Sequence, residues 1–239
     1  LPDSVEFIRA KAFEDCTGLA EVIIPNSMTE VMGKVFENTP WLASQPDGVL
    51  YINGIACGYK GNGRVARIAE GTRLISEEAF SNCESLESVI IPSSVTRIES
   101  GAFSGCTGLT SMIIPNGVTE IGSWAFSGCT GLTSITIPNS VTVIYEWAFQ
   151  RCTSLTEAFI SKGVTAIEEH TFEDCPALKK IVAPGVSISK IESGKQSALA
   201  GFIQHVEMYT NAEVYEENVR YSHLRAKNVL DIAFETDSI

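Results

Sequence analysis

The stretch Leu132-Thr133-Ser134-Ile135-Thr136-Ile137-Pro138-Asn139-Ser140-Val141-Thr142 decides the fold. Its first, fourth and sixth residues are apolar. Ile135 and Ile137 alternate with Thr136, the period-two pattern of a strand with one buried face. Pro138 lacks the N–H that a further ladder bond would need, so pairing ends there. Pro-Asn-Ser turns the chain, because proline presets φ and asparagine tolerates a tight corner. Ala148 and Phe149 close the far side, and Cys152 lies three residues further on. The preceding copy, from Leu109, adds a second short extended piece, Val118 to Ile121, with two more inward apolar residues.

Outward from this stretch the pattern recurs. Phe80, Phe103, Phe126, Phe149 and Phe172 stand 23 residues apart, as do Phe13 and Phe36. Cys16, Cys83, Cys106, Cys129, Cys152 and Cys175 each follow a phenylalanine by three. Leu19, Leu86, Leu109, Leu132, Leu155 and Leu178 follow by three more. A 23-residue unit cannot bury its apolar face alone, but stacked copies turn each inward position into a ladder of like side chains. Each large inward residue contributes about 1.5–3 kcal/mol on burial. The expectation is an α/β repeat solenoid, a coil of short parallel strands, over residues 1–185.

The period fails in two places. Phe36 to Phe80 spans 44 residues, two short of two repeats. A weak coil (Ala66, Ile68, Thr72, Ile75, Ala79) precedes Phe80, but residues 42–62 do not fit. Within them Val49 to Ile52, Asn53-Gly54 and Ile55 to Tyr59 read as a β-hairpin, since Asn-Gly between apolar runs is a strong hairpin signal. The hairpin should stand off from the array or replace one coil. It is either a tolerated insertion or a binding element presenting Tyr51 and Tyr59. After Pro184 the period stops. Leu199, Phe202, Ile203 and Val206 have helical spacing, and Thr210 with Glu213 resembles a capping box before a second helix over 211–235. Residues 186–239 are therefore expected to be a small helical cap over the last open core, or a docking module for a partner.

The string of residues 132–142, followed by Ala148-Phe149 and Cys152, resembles the BspA-like leucine-rich repeats. The resemblance covers residues 1–185. It implies a right-handed leucine-rich-repeat coil. It also implies an adhesion-type protein, at the cell surface or secreted, of the kind found in bacteria of the mouth and gut and in some parasitic protists. The family motif contains no catalytic residue.

Composition narrows the partners. Apolar residues make up 44%, charged residues 19%, and the net charge is −12. Nucleic acid and anionic lipid would repel such a chain, and no apolar run is long enough to span a membrane. The chain opens at Leu1-Pro2-Asp3, in the middle of a repeat. A preceding segment is expected, so the lack of a signal peptide says little. Neighbouring coils about 4.8 Å apart hold ladder cysteines slightly too far apart for disulfides, whose Cβ atoms lie about 3.8 Å apart. Buried, reduced thiols are expected. No Cys-x-x-Cys, metal-binding histidine pair, phosphate loop or nucleophile motif is present. Glu168-Glu169-His170 is read as a solvated turn. No metal, cofactor or catalytic residue is expected.

Two surfaces stand out. Between the last two inward residues of the first strand lies one outward position. It holds Ile23, Arg67, Ile90, Ile113, Thr136, Phe159 and Val182. An apolar stripe across several coils suggests a contact surface, with Ile90, Ile113, Thr136, Phe159 and Val182 as its residues; strand propensity alone would give a similar pattern. The expected partner is a protein, a host surface or matrix protein among the candidates. Alternatively, Trp124 and Trp147, one coil apart, could hold carbohydrate on their faces, although packing would also account for them.

Overall fold

The computed structural model describes residues 1–164, 167, 168, 170–185 and 207–209. In chain order the elements are β1 (Phe7–Ile8), β2 (Glu30–Val31), α1 (Pro40–Ser44), β3 (Gly48–Ile52), β4 (Ile55–Lys60), β5 (Val65–Arg67), β6 (Leu74–Ile75), β7 (Ser88–Ile90), β8 (Arg97–Ile98), β9 (Glu120–Ile121), β10 (Ser134–Ile137), β11 (Val143–Ile144), β12 (Glu157–Ile160), β13 (Lys180–Val182) and β14 (Glu207–Tyr209).

Two parallel ladders run along the array. The first strands of successive coils, most of them ended by proline, form one: β5 pairs with β7, Ile113 bridges to Thr136, and β10, β12 and β13 follow in order. Ile135 faces Ala158 and Ala158 faces Ile181, a step of 23 each time. The second ladder joins Ile75, Ile98, Ile121 and Ile144 through β6, β8, β9 and β11. Between them the phenylalanines stack, with centroids 5.0 Å apart from Phe80 to Phe103, 5.4 Å to Phe126, 5.2 Å to Phe149 and 5.5 Å to Phe172. That spacing matches paired chains about 4.8 Å apart, so each coil adds one ring to a continuous stack.

The far side of each coil is a run of tight turns, not a helix. Each regular coil places two residues four apart at positive φ, for example Trp124 and Gly128, Trp147 and Arg151, and His170 and Asp174. Such residues cannot continue an α-helix. Their amides bond instead to the next coil: Phe80 N donates to Ala102 O, Phe103 N to Ala125 O and Phe126 N to Ala148 O, each at 2.8 Å. This corrects the α/β expectation. Among the described residues only the five-residue α1 is α-helical, and the array is a β-solenoid of about eight coils.

The Asn-Gly hairpin is present. Asn53 (φ +47) and Gly54 (φ +74) form its corner between antiparallel β3 and β4. It does not stand off. β4 enters the second ladder beside β6, with Ile55 facing Leu74 and Ala56 facing Ile75. The hairpin thus supplies one coil's second strand. The Asn53 amide also donates to Pro25 O at 2.9 Å and Met28 O at 3.2 Å, fastening the tip to the preceding corner.

Of the expected helical cap, only Glu207–Tyr209 are described, and they are strand, not helix: β14 pairs in parallel with β13 and lengthens the ladder. The helices expected over 199–206 and 211–235 lie outside the described residues.

Candidate binding surfaces

The outward stripe is shorter than its sequence suggests. Ile23 stands 75% exposed, and Ile90, Ile113 and Thr136 are half-buried. Phe159 and Val182, however, are only 3% and 0% exposed, so neither can meet a partner from outside. The ladder does not end at β13, because β14 adds a strand beside it, and the Lys180 ammonium lies 5.6 Å from the Phe159 ring centre. The alternation rule assumes that solvent covers the outward face, and at this end of the array it does not.

The hairpin tyrosines are tied into the fold. The Tyr51 phenol oxygen accepts a bond from Ala69 N at 2.8 Å. The Tyr59 ring stacks on Phe80 at 5.5 Å and so takes the place of the missing coil's phenylalanine. Burial pushes the Tyr59 hydroxyl pKa up, with smaller effects from nearby Cys83 and Asp47. Around Tyr59 opens a cleft of about 840 Å³, bounded by Phe36 and Trp41 on one wall and by Ala79, Ser81 and Cys83 on the other. Its helix, α1, starts where the Phe36 coil leaves the repeat. Thr39 stands at the usual cysteine place, and its hydroxyl donates to Phe36 O at 2.7 Å and accepts from Leu42 N at 3.1 Å. Pro40 follows at the first helical position, where a missing N–H costs nothing. The Lys60 ammonium donates to Ala43 O and Gln45 O at the other end of this short helix.

A row of rings stands outside the core at the first left-handed corner. Trp124 and Trp147 are stacked at 4.8 Å and 4°, and Trp147 and His170 at 5.4 Å and 6°. Trp124 is 44% exposed and nearby Tyr145 43%. In the coil before Trp124 the same corner is Gly101, at φ +61. The row therefore ends over a residue with no side chain, and the outer face of Trp124 is open. The sequence showed both tryptophans but not that a positive φ turns them outward.

The cysteines are all free thiols. Cys106, Cys129, Cys152 and Cys175 are buried, and each Sγ donates to a phenylalanine carbonyl 26 residues earlier, at 3.0–3.2 Å. They are carbonyl caps as well as small apolar residues, a role that spacing alone did not reveal. Burial pushes the Cys129 thiol up to about 12. The Cys152 thiol is also raised, by its bond with Cys175 and by burial. Cys57 is pushed up to about 12 and Cys83 to about 11, both chiefly by burial. His170 pairs with Glu173 at 3.2 Å. Among the described residues no group of three or more metal-binding side chains comes together, and no helix is long and apolar enough to cross a membrane.

No curated protein matches the chain. Among solved structures it resembles the leucine-rich repeat protein of T. pallidum, with 34% identity over 54% of this chain and 63% of that one, and a TM-score of 0.53. It also resembles a leucine-rich cell surface protein of Faecalibacterium prausnitzii A2-165, with 27% identity over 89% of this chain and 56% of that one, and a TM-score of 0.58. The chain spans less than two thirds of either. The pneumococcal vaccine antigen PcpA shares the fold, with 16% identity over 87% of this chain and 60% of that one, and a TM-score of 0.63. The model of the BspA type leucine rich repeat region matches six copies over residues 1–45 and 73–197, skipping the hairpin. No enzyme-type family is found, and the family is of a typically non-catalytic, protein-interaction kind. By these matches the chain belongs to the BspA-type leucine-rich repeat family.

Proposed function

We propose that this solenoid is a non-catalytic protein-binding module of a bacterial surface or secreted protein, serving adhesion to a host surface or matrix protein. One observation carries the reading: the row Trp124, Trp147 and His170 stands outside the packed core, with the outer face of Trp124 open. Tryptophan and tyrosine supply large contact areas at low entropic cost and are enriched among residues that dominate interfaces. Half-buried Ile90, Ile113 and Thr136 on the first-strand ladder offer a partner a second, separate patch. The description of the F. prausnitzii relative as a cell surface protein supports the compartment.

The same open indole favours one second reading, a carbohydrate-binding surface module, since a sugar ring can lie flat on an aromatic face. The two readings part on a direct test. The wild-type chain and the double variant Trp124→Ser/Trp147→Ser are measured against immobilised extracellular-matrix proteins and on a glycan array. Saturable binding to a matrix protein, weakened at least tenfold in the variant (about 1.4 kcal/mol), is the expected result. Binding to glycans alone, lost in the variant, would replace the protein reading with the carbohydrate one. Saturable binding to neither class would remove both.

A further inference from the structure

Three far-side amides join the Phe80, Phe103 and Phe126 coils each to the next. In the Phe80 coil these are Glu78, Phe80 and Asn82, which donate to Ser100, Ala102 and Ser104. In the Phe13 coil they are Lys11, Phe13 and Asp15, which donate to Gly33, Val35 and Glu37. The Phe36 coil departs from this rule. Among the described residues, no bond joins the amides of Lys34, Phe36 and Asn38 to the carbonyls of Glu77, Ala79 and Ser81. The hairpin gives the missing coil a second strand and a ring, Tyr59, but no far-side arc. Cys83 records the same gap. Cys106, Cys129, Cys152 and Cys175 each cap a phenylalanine carbonyl of the preceding coil, whereas the Cys83 thiol meets none among the described residues and borders the cleft.

The two walls touch at one end, where a Cβ on Gly33 would lie 2.7 Å from Glu77 O. From there they part, and the cleft opens between Phe36 and Glu37 on one side and Ala79 and Ser81 on the other. One skipped far-side arc would open about twice the 4.8 Å spacing of paired chains, the width at which one extended chain bonds to both walls. The ring stack is interrupted at the same level, since Trp41 ends it on the Phe36 side and Tyr59 on the Phe80 side.

Charge narrows the occupant. Lys34 is paired with Glu78 at 3.7 Å, and Lys60 is spent on the carbonyls of Ala43 and Gln45. Glu37 and Glu84 also line the cleft, and neither meets a basic side chain among the described residues. The chain as a whole carries −12.

We propose that this cleft binds an extended segment of a partner protein, whose backbone completes the interrupted ladder, whose apolar or aromatic side chain enters between Trp41 and Tyr59, and whose basic residues meet Glu37 and Glu84. The proposal deepens the protein-binding reading and rests on it.

The probe is a fluorescein-labelled peptide, Lys-Lys-Ala-Phe-Ser-Gly-Lys, whose core copies the far-side arc from Ala102 to Gly105. The protein is the full chain with Trp124→Phe and Trp147→Phe, which leaves Trp41 the sole tryptophan of three. Peptide anisotropy should rise to saturation, and Trp41 emission should change over the same concentration range. Adding Glu37→Lys and Glu84→Lys, with thermal melting as the fold control, should weaken binding at least tenfold. A peptide with alanine for phenylalanine should also bind at least tenfold more weakly. Failure to saturate, saturation without a Trp41 response, or indifference to the charge reversal would overturn the proposal. A Trp41 change on concentrating the protein alone, with a dimer in sedimentation, would overturn it in favour of a second copy as the occupant. If the peptide fails while the wild-type chain still binds immobilised matrix protein, only this inference falls. If both fail, the protein-binding reading falls with it.

Discussion

From Phe80 to Phe172 each coil repeats the last. The rings stack, far-side amides donate to carbonyls of the next coil, and each buried thiol caps the carbonyl one coil back. Between Phe36 and Phe80 the same parts are present but do not close. A ring comes from Tyr59 of the hairpin, a second strand from β4, and a helix cap from Thr39 in place of a cysteine. The contrast shows that the solenoid tolerates a missing arc because each coil contacts only its neighbours. A defect then stays local: it leaves a cleft, and the array continues past it.

The largest expected difference between the regions lies in their rings. Phe126 is fully buried and stacked on both faces. Phe126→Ala should cost about 3–5 kcal/mol, the usual range for deleting a core aromatic. Phe36→Ala should cost about half that, because its flank borders a cleft that water can enter. Denaturant melts of the two variants measure this. Equal losses would mean that the Phe36 coil is as tightly enclosed as the rest.

Alkali should separate the regions next. The buried thiols titrate above the ordinary cysteine range in the folded chain, so the folded state holds its protons longer than the unfolded one. Their stabilisation is complete below about pH 9 and is lost as pH rises toward 12 for Cys129. Stability should therefore fall steadily over that window. At neutral pH a thiol reagent should modify exposed Cys16 first and half-buried Cys83 and Cys57 more slowly. The four buried thiols should react only on unfolding, which brings the total to seven. Early loss of all seven would show that the regular coils open as readily as the cleft.

A smaller effect is expected at the hairpin tip. Asn53 holds a left-handed corner and bonds to two carbonyls of the preceding coil. Asn53→Ala gives up both, at a cost of about 1–3 kcal/mol. Asn53→Gly keeps the corner and loses only the bonds, so its cost should be about half as large. If the two variants melt alike, the corner's backbone strain contributes nothing.

What the sequence made legible was local and periodic. The 23-residue register, the proline-ended strand and the Asn-Gly corner each depend on residues close in the chain, and each stands where its residues place it. What stayed hidden depends on distant neighbours. Thr136 and Phe159 occupy one register position, yet one is half-buried and the other buried, because burial is decided by what lies across the ladder. The helix content was misread because a left-handed corner carries no signature when tryptophan, lysine, glutamate or glycine can fill it. The cleft was visible only as a shortfall of two residues. Counting gives the deficit, but the missing far-side arc appears only when the chain is folded.

The smallest stability effect should be the most informative about function. Trp124 is held at φ +55, a conformation that disfavours side chains with a Cβ by about 1–2 kcal/mol. Trp124→Gly relieves that strain, as Gly101 does one coil earlier. The substitution also removes one stacked face against Trp147, a contact of about 0.5–1.5 kcal/mol. The two effects nearly cancel, so the melting temperature should move by no more than a few degrees. Phe126, two residues away, should by contrast lower it sharply when truncated. Near-neutral stability at Trp124 with a large loss of ligand binding would mark the row as held for contact with a partner. A loss of stability approaching that of Phe126→Ala would make Trp124 part of the packing, and the open indole would no longer support the proposed binding surface.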